Sequence, residues 1–292
     1  MYDIVVIGNP TFHDERLSGP GVYAAATAAL IGFENLAIVS SVGNKVADKF
    51  IQGVTALGIP EYYVIDANDK GAVEIRSPTL DKKVRVLGIP DKIRIRDIPE
   101  EFLRTRVLLL SPSLQEINAE FVEWICSSTD AHVFLDPQLR RLTSDGRLEV
   151  VREFSVMEKT QSYLDFIIPN QIESEWITGE SDPYLAAELI VEWSSEACVI
   201  TLGKDGSLVY DGKDFNIIPS YPVEEVDSVS AGAVYLAAFA SQLLAGETLT
   251  ECAVYASSVA SLKVENQGTE FSIDAAEIAR RNEKIGSLVE TR

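Results

Sequence analysis

The 292 residues, 46% of them hydrophobic, suffice for one large α/β domain or two small ones around a substantial core. A formal charge of −20 argues against nucleic acid as a partner, because phosphate backbones are held by clustered Lys and Arg, and it disfavours anionic membrane surfaces for the same reason. The acids are dispersed rather than run together, which fits solubility in a salty or harsh setting, so a small anionic substrate would need its own basic pocket.

Taken in chain order, "DIVVIG" at 3–8 reads as a strand, "GVYAAATAALIG" as a helix, "LAIVSSVG" at 36–43 as a strand and "DKFIQGVTALG" as a helix. From about 61 to 98 the pattern changes. "EYYVID", "AVEIRS", "KKVRVLGI" and "KIRIRDI" alternate apolar with charged residues, most clearly at Ile93, Arg94, Ile95 and Arg96, and predict half-exposed antiparallel strands. Strands follow at "VLLLSPS" (107–113), "AHVFLDP" (131–137), "DFIIPN" (165–170) and "ACVITLG" (197–203), with helices at "NAEFVEWICSS" and "YLAAELIVEWSS". After "SLVYDG" and a connection holding Pro219 and Pro222, the chain is mostly helical from residue 232 to the end.

Nearly continuous apolar strands alternating with helices predict a mostly parallel sheet in a three-layer α/β/α arrangement. The expectation is a single domain over 1–292 with a β-lid inserted at 61–98, which closes over the carboxyl ends of the strands or serves as a homodimer contact. No apolar stretch reaches membrane-spanning length, and "MYDIVVIGNP" enters a strand without a leader pattern, so a cytoplasmic location is expected. Cys126, Cys198 and Cys252 lie far apart in apolar contexts and read as buried free thiols in a reducing compartment.

Three stretches carry chemistry. In "DSVSAGAVYLAAF" (227–239), small residues precede a helix whose first amides and dipole favour an anion, phosphate above all, although Ser-Ala-Gly also simply caps helices. Asn170 and Glu173 suit a strand-ending cap and a first-turn acid. "TLGKDGSLVY" contains Asp205-Gly206, a favoured hairpin pair. A nicotinamide-dependent dehydrogenase is excluded at "VVIGNPTF", which lacks the G-x-G-x-x-G that admits a pyrophosphate.

The order of "SGPGVYAAATAALIG", "LDPQLRR", "PNQIESE", "VITLGKDGSLVY" and "DSVSAGAVYLAAF" resembles the ribokinase-like, or PfkB, family of carbohydrate kinases over nearly the whole chain, lid included. That resemblance implies transfer of the ATP γ-phosphoryl group, with Mg²⁺, to a hydroxyl of a small sugar, polyol or nucleoside. It places the family's Asp-Thr-x-Gly-Ala-Gly-Asp signature on residues 227–233, with Ser230, Ala231 and Gly232 in the anion hole and Ala233 where the family has its general-base aspartate. Asn170 and Glu173 match the Asn-x-x-Glu metal motif, Thr201, Gly203 and Gly206 border the nucleotide, and Asn266 and Gly268 lie where adenine is wrapped. For the acceptor it implies His13 or Asp14, Gly19, Tyr23 in place of the usual Asn, and Asp136 and Arg140, with Gln138 replacing a family Asn. His132 is read as structural, and Asp227 as a loop tie or a substitute base. Because a methyl group accepts no proton, the competing expectation is a catalytically silent nucleotide- or ligand-binding protein on the same scaffold.

Overall fold

The computed structural model describes residues 1–13, 16–67, 73–75, 84–86, 92–114, 116–142, 148–150, 164–193 and 196–292. The chain runs β1 (Tyr2–Ile7), β2 (Thr11–His13), β3 (Arg16–Ser18), α1 (Pro20–Ile31), β4 (Leu36–Val42), α2 (Ala47–Ala56), β5 (Glu61–Asp66), β6 (Val73–Ile75) and β7 (Val84–Val86). It continues through β8 (Thr105–Leu110), α3 (Ala119–Ser128), β9 (His132–Leu135), β10 (Arg140–Leu142), β11 (Leu148–Val150), β12 (Phe166–Ile167), α4 (Gln171–Thr178), α5 (Pro183–Trp193) and β13 (Ala197–Thr201). It finishes with β14 (Ser207–Tyr210), β15 (Phe215–Ile218), α6 (Ala231–Ala245), α7 (Leu249–Val264), α8 (Ala275–Gly286) and β16 (Glu290–Thr291).

The strands with continuous apolar runs form the middle of one ten-stranded sheet, ordered β16-β15-β14-β13-β12-β9-β8-β1-β4-β5. Neighbours from β13 to β5 pair in parallel, and β14, β15 and β16 add an antiparallel edge. Successive side chains point to opposite faces, so each strand feeds two cores. Ile4, Val6, Leu36, Ile38, Val107 and Leu109 pack with α1, α2, α6, α7 and α8, while Val5, Ile7, Ala37, Val39, Leu108 and Leu110 pack with α3, α4 and α5. The result is the expected three layers. A stacked Phe134–Phe166 pair, with Phe239 of α6 against both rings, joins the sheet to α6. Cys198 and Cys252 are buried free thiols and Cys126 is half-buried.

The small sheet differs from the expected flap. Its order is β3-β2-β6-β7: Val73–Ile75 and Val84–Val86 pair antiparallel as expected, but the other side of β6 pairs in parallel with β2, from the segment before α1. Glu61–Asp66 instead pairs in parallel with β4 as the edge strand of the main sheet. As an edge strand it keeps Tyr62 and Tyr63, on opposite faces, partly exposed and buries Ile65, and periodicity alone does not distinguish this from a flap strand. Residues 93–98 form no strand. Ile93 and Ile98 are buried against the sheet around a 3₁₀ turn at Ile95–Asp97, so their spacing serves a core contact. The three-residue strands β2 and β3 are too short for a periodicity to show in the sequence.

Candidate functional site

Because β1, β8, β9, β12 and β13 are parallel, the residues that follow them gather along one edge of the sheet: Asn9, Ser111, Asp136, Asn170 and the end of β13 at Thr201. Such an edge is where open α/β sheets place their ligands. The first turn of α1 crosses it closely, since a Cβ on Gly8 would overlap the Ser111 carbonyl and one on Gly21 would lie 3.3 Å from the same oxygen. Gly19 caps α1 at φ 111°, a conformation open to glycine. Glu116 fastens the loops beside it by accepting from the amides of Asn9 (2.8 Å), Ser113 (2.7 Å) and Leu114 (2.7 Å).

Asn170 and Glu173 form a capping box at the start of α4. Asn170 Oδ1 accepts from the Glu173 amide at 2.9 Å, and Glu173 Oε2 accepts from the Asn170 amide at 3.1 Å. The Thr201 amide donates to the Pro169 carbonyl at 2.9 Å, which brings the end of β13 against this cap. A cleft of about 250 Å³ results, with Asn170, Glu173, Trp176, Thr201 and Gly203 in its wall. Asp136 is buried nearby, accepting from Gln138 Nε2 at 3.1 Å and Ser111 Oγ at 3.4 Å. Burial first, and then the charge of Glu173, push its pKa up to about 8. Two buried carboxylates that repel one another suit a divalent cation, which would relieve the repulsion and keep most of its waters.

A hairpin does follow β13, but not through a tight Asp-Gly turn: Thr201 stands opposite Ser207, and the loop over 202–206 between them winds through a 3₁₀ turn at Gly203–Asp205. Gly203 (φ 60°) faces open space, whereas a Cβ on Gly206 (φ 98°) would strike the Ile218 carbonyl. Gly206 is therefore a packing glycine, and Gly203 is the one with room for a ligand beside it.

At α6, Ser230 sits in the left-handed region at φ 60° as an N-cap without a side-chain cap bond. The Ala231 amide donates to the Ser228 carbonyl, while the amides of Gly232 and Ala233 have no acceptor among the described residues. A Cβ on Gly232 would meet nothing within 4 Å. The turn thus presents two unengaged amides beside an unobstructed Gly232, and the Ala233 side chain, 1% exposed, contributes only a methyl group.

Asp227 ties this turn down. Its carboxylate accepts from the Val229 amide (2.9 Å), the Gly268 amide (2.8 Å) and Gln267 Nε2 (3.3 Å), with Lys263 Nζ at 3.1 Å from Oδ2. Burial alone would raise its pKa. The Gly268 and Val229 amides and Lys263 outweigh that effect and hold the carboxyl below its usual value. Asn266 Nδ2 bonds back to the Leu262 carbonyl at 2.8 Å.

Tyr23 lies under the same knot, 3% exposed. Its pKa is pushed up to about 12, by burial first and then by the charge of Asp227, so its phenol stays neutral. His13 occupies the small sheet opposite Arg16 and Ile75, Asp14 falls outside the described residues, and Arg140 begins a two-stranded ribbon with β11. The ring of His132 lies 3.4 Å from Asp165 at the start of β9, the end of the strand opposite the cleft.

Lys263 is the residue that reading the sequence missed. It follows Val259 and Ala256 at spacings of four and seven, on the buried stripe of α7, and a lysine on such a stripe is the signal that marks it.

The sequence pattern of the pfkB family carbohydrate kinases matches residues 94–276. A cytidine kinase of Thermococcus kodakarensis is 27% identical over 265 residues, spanning 86% of this chain and 92% of its own. Among solved structures, a ribokinase-type chain from E. coli in complex with ATP and Mg²⁺ superposes with a TM-score of 0.80 at 17% identity, covering 97% of this chain and all (100%) of that one. A pyrophosphate-dependent kinase of the ribokinase family, complexed with a pyrophosphate analogue and myo-inositol, gives 0.79 at 18%, covering 94% and 99%. At these identities the structural likeness concerns the fold, which is the three-layer ribokinase-like arrangement with its small β sheet.

Proposed function

The chain belongs to the pfkB family of carbohydrate kinases, and on that premise we propose that it binds Mg-ATP and transfers the γ-phosphoryl group slowly to a hydroxyl of a small sugar, polyol or nucleoside. The observation that carries this is the open turn at α6, which has amides for phosphate oxygens and Ala233 where a base would stand. When bound, Mg²⁺ supplies charge neutralisation on the phosphates. Asp136 and Glu173 would hold that ion through its waters, and the Gly232 and Ala233 amides would hold the phosphate oxygens. The acceptor proton is then left to solvent or to the phosphate itself, which keeps turnover low. A nucleoside acceptor is supported by the cytidine kinase relative and a polyol by the myo-inositol complex. A cytoplasmic location, where nucleotide is available, accompanies this reading; no helix among the described residues is long and apolar enough to cross a membrane.

Ala233 also supports a second reading, a protein that binds nucleotide or ligand on the kinase scaffold and does not turn it over. Calorimetric titration of Mg-ATP, with and without a panel of polyols and nucleosides, followed by phosphate-transfer assays on the acceptors that bind, separates the two. Binding with measurable transfer supports the kinase, binding of nucleotide or of a panel ligand without transfer supports the second reading, and no binding of either sinks both.

The small sheet is proposed as the lid of this site. Its strands β2, β3, β6 and β7 are three residues each, so their amides are expected to exchange earlier than those of β1 and β8 and to slow when ligand binds. Equal exchange with and without saturating ligand would show the sheet to be static decoration.

A further inference from the structure

Lys263 has a side chain that is 0% exposed, yet it ends in an ammonium. Its Nζ donates to the backbone carbonyl of Asp227 at 2.7 Å and to that of Asn266 at 3.4 Å, and it lies 3.1 Å from Asp227 Oδ2. The Tyr23 ring closes the remaining side, its centroid 5.5 Å away. Three oxygens and an aromatic face, drawn from the turn before α6, the segment after α7 and the first turns of α1, converge on one buried charge.

Packing does not account for this arrangement, since a Met or Leu at 263 would fill the space without the cost of desolvating an ammonium. What the charge does accomplish follows from its partners. The Asp227 carbonyl and carboxylate are both held by Nζ, and the same carboxylate grips the Val229 and Gly268 amides. Lys263 therefore sets the backbone that leads into Ser230 and the free amides of Gly232 and Ala233. It also cancels the Asp227 charge, which would otherwise stand unpaired close to a cradle built for anions.

We propose that the Lys263 ammonium is a built-in cation that positions the phosphate-cradling turn at the start of α6, so that anion binding there requires no free monovalent cation. The proposal rests on reading that turn as the phosphate site. Protein oxygens around one point can equally hold a potassium or ammonium ion, which makes the idea testable by replacement.

For the wild type, Mg-ADP affinity and hydrogen exchange at residues 228–231 and 268 are expected to be the same in choline chloride and in potassium chloride at equal ionic strength. A saturable gain with potassium in either measurement overturns the proposal, and this arm needs no variant. In Lys263→Met, Mg-ADP affinity in choline chloride is expected to fall by about 10–100-fold, as for the loss of charged hydrogen bonds. Ammonium or potassium chloride is expected to restore much of it. Exchange at the same amides should quicken in choline and slow again with ammonium. Affinity and exchange that match the wild type in choline, or a loss that neither cation repairs, would show that Lys263 is not a positioning cation. Absence of Mg-ADP binding in the wild type would count against the phosphate-site reading alone, because the exchange measurement reports on the turn without any nucleotide.

Discussion

Ala233→Asp is expected to raise phosphotransfer to a hydroxyl acceptor by roughly 10²–10⁴-fold, the usual contribution of a placed general base. Residue 233 lies in the first turn of α6, behind the N-cap Ser230, where amides and helix dipole favour a carboxylate. The side chain at 233 is itself only 1% exposed, so burial would act on the new carboxyl against the lowering pull of the helix N-terminus. Ala233→Asn is the control, since it has nearly the same size but cannot take the proton. Asp227 offers no substitute because its oxygens are engaged by Val229, Gly268, Gln267 and Lys263. Asp227→Asn should accordingly weaken the turn and Mg-ATP binding together rather than remove turnover alone. If Ala233→Asp binds Mg-ATP yet transfers no faster than the wild type across a broad hydroxyl panel, the acceptor side has changed too, and the protein is a binder.

Glu173→Gln is expected to lower Mg-nucleotide affinity by about 10–100-fold, the usual range for groups that orient a metal's surroundings, with little loss of stability. The second half of that statement follows from the capping box, in which Gln serves at the third helical position as Glu does. A fall in affinity then reports on charge and not on α4. The pH profile supplies a further check. In the wild type the folded pKa of Asp136 lies near 8, above its unfolded value, so affinity for Mg-nucleotide should rise with pH as Asp136 loses its proton. The same shift means that the stability contributed by protonated Asp136 is present at low pH and is lost as pH rises through about 8. Removing the Glu173 charge should move the affinity profile to lower pH. Unchanged affinity and an unchanged profile would leave Asn170 and Glu173 as a helix cap and nothing more.

Much of this molecule is legible without coordinates, for reasons visible in particular residues. Ile4 to Ile7 and Val107 to Leu110 are apolar on both faces because both are covered by helices, and that run length reports a parallel sheet directly. The apolar runs on either side of Asp205-Gly206 announce two neighbouring strands, and the small residues at 230–233 announce the turn that opens α6. These are local properties, determined by neighbours in the chain. Partner choice is different. β5 and the strands β6 and β7 share one alternating pattern, and only assembly decided that the first joins the main sheet while β6, with β7 on its far side, joins β2. The pairing of Asp136 with Glu173, and of Lys263 with Asp227 and Tyr23, likewise joins residues far apart in sequence. Their chemistry arises because the fold removes them from water together, so that charges which would each be solvated alone must answer to one another.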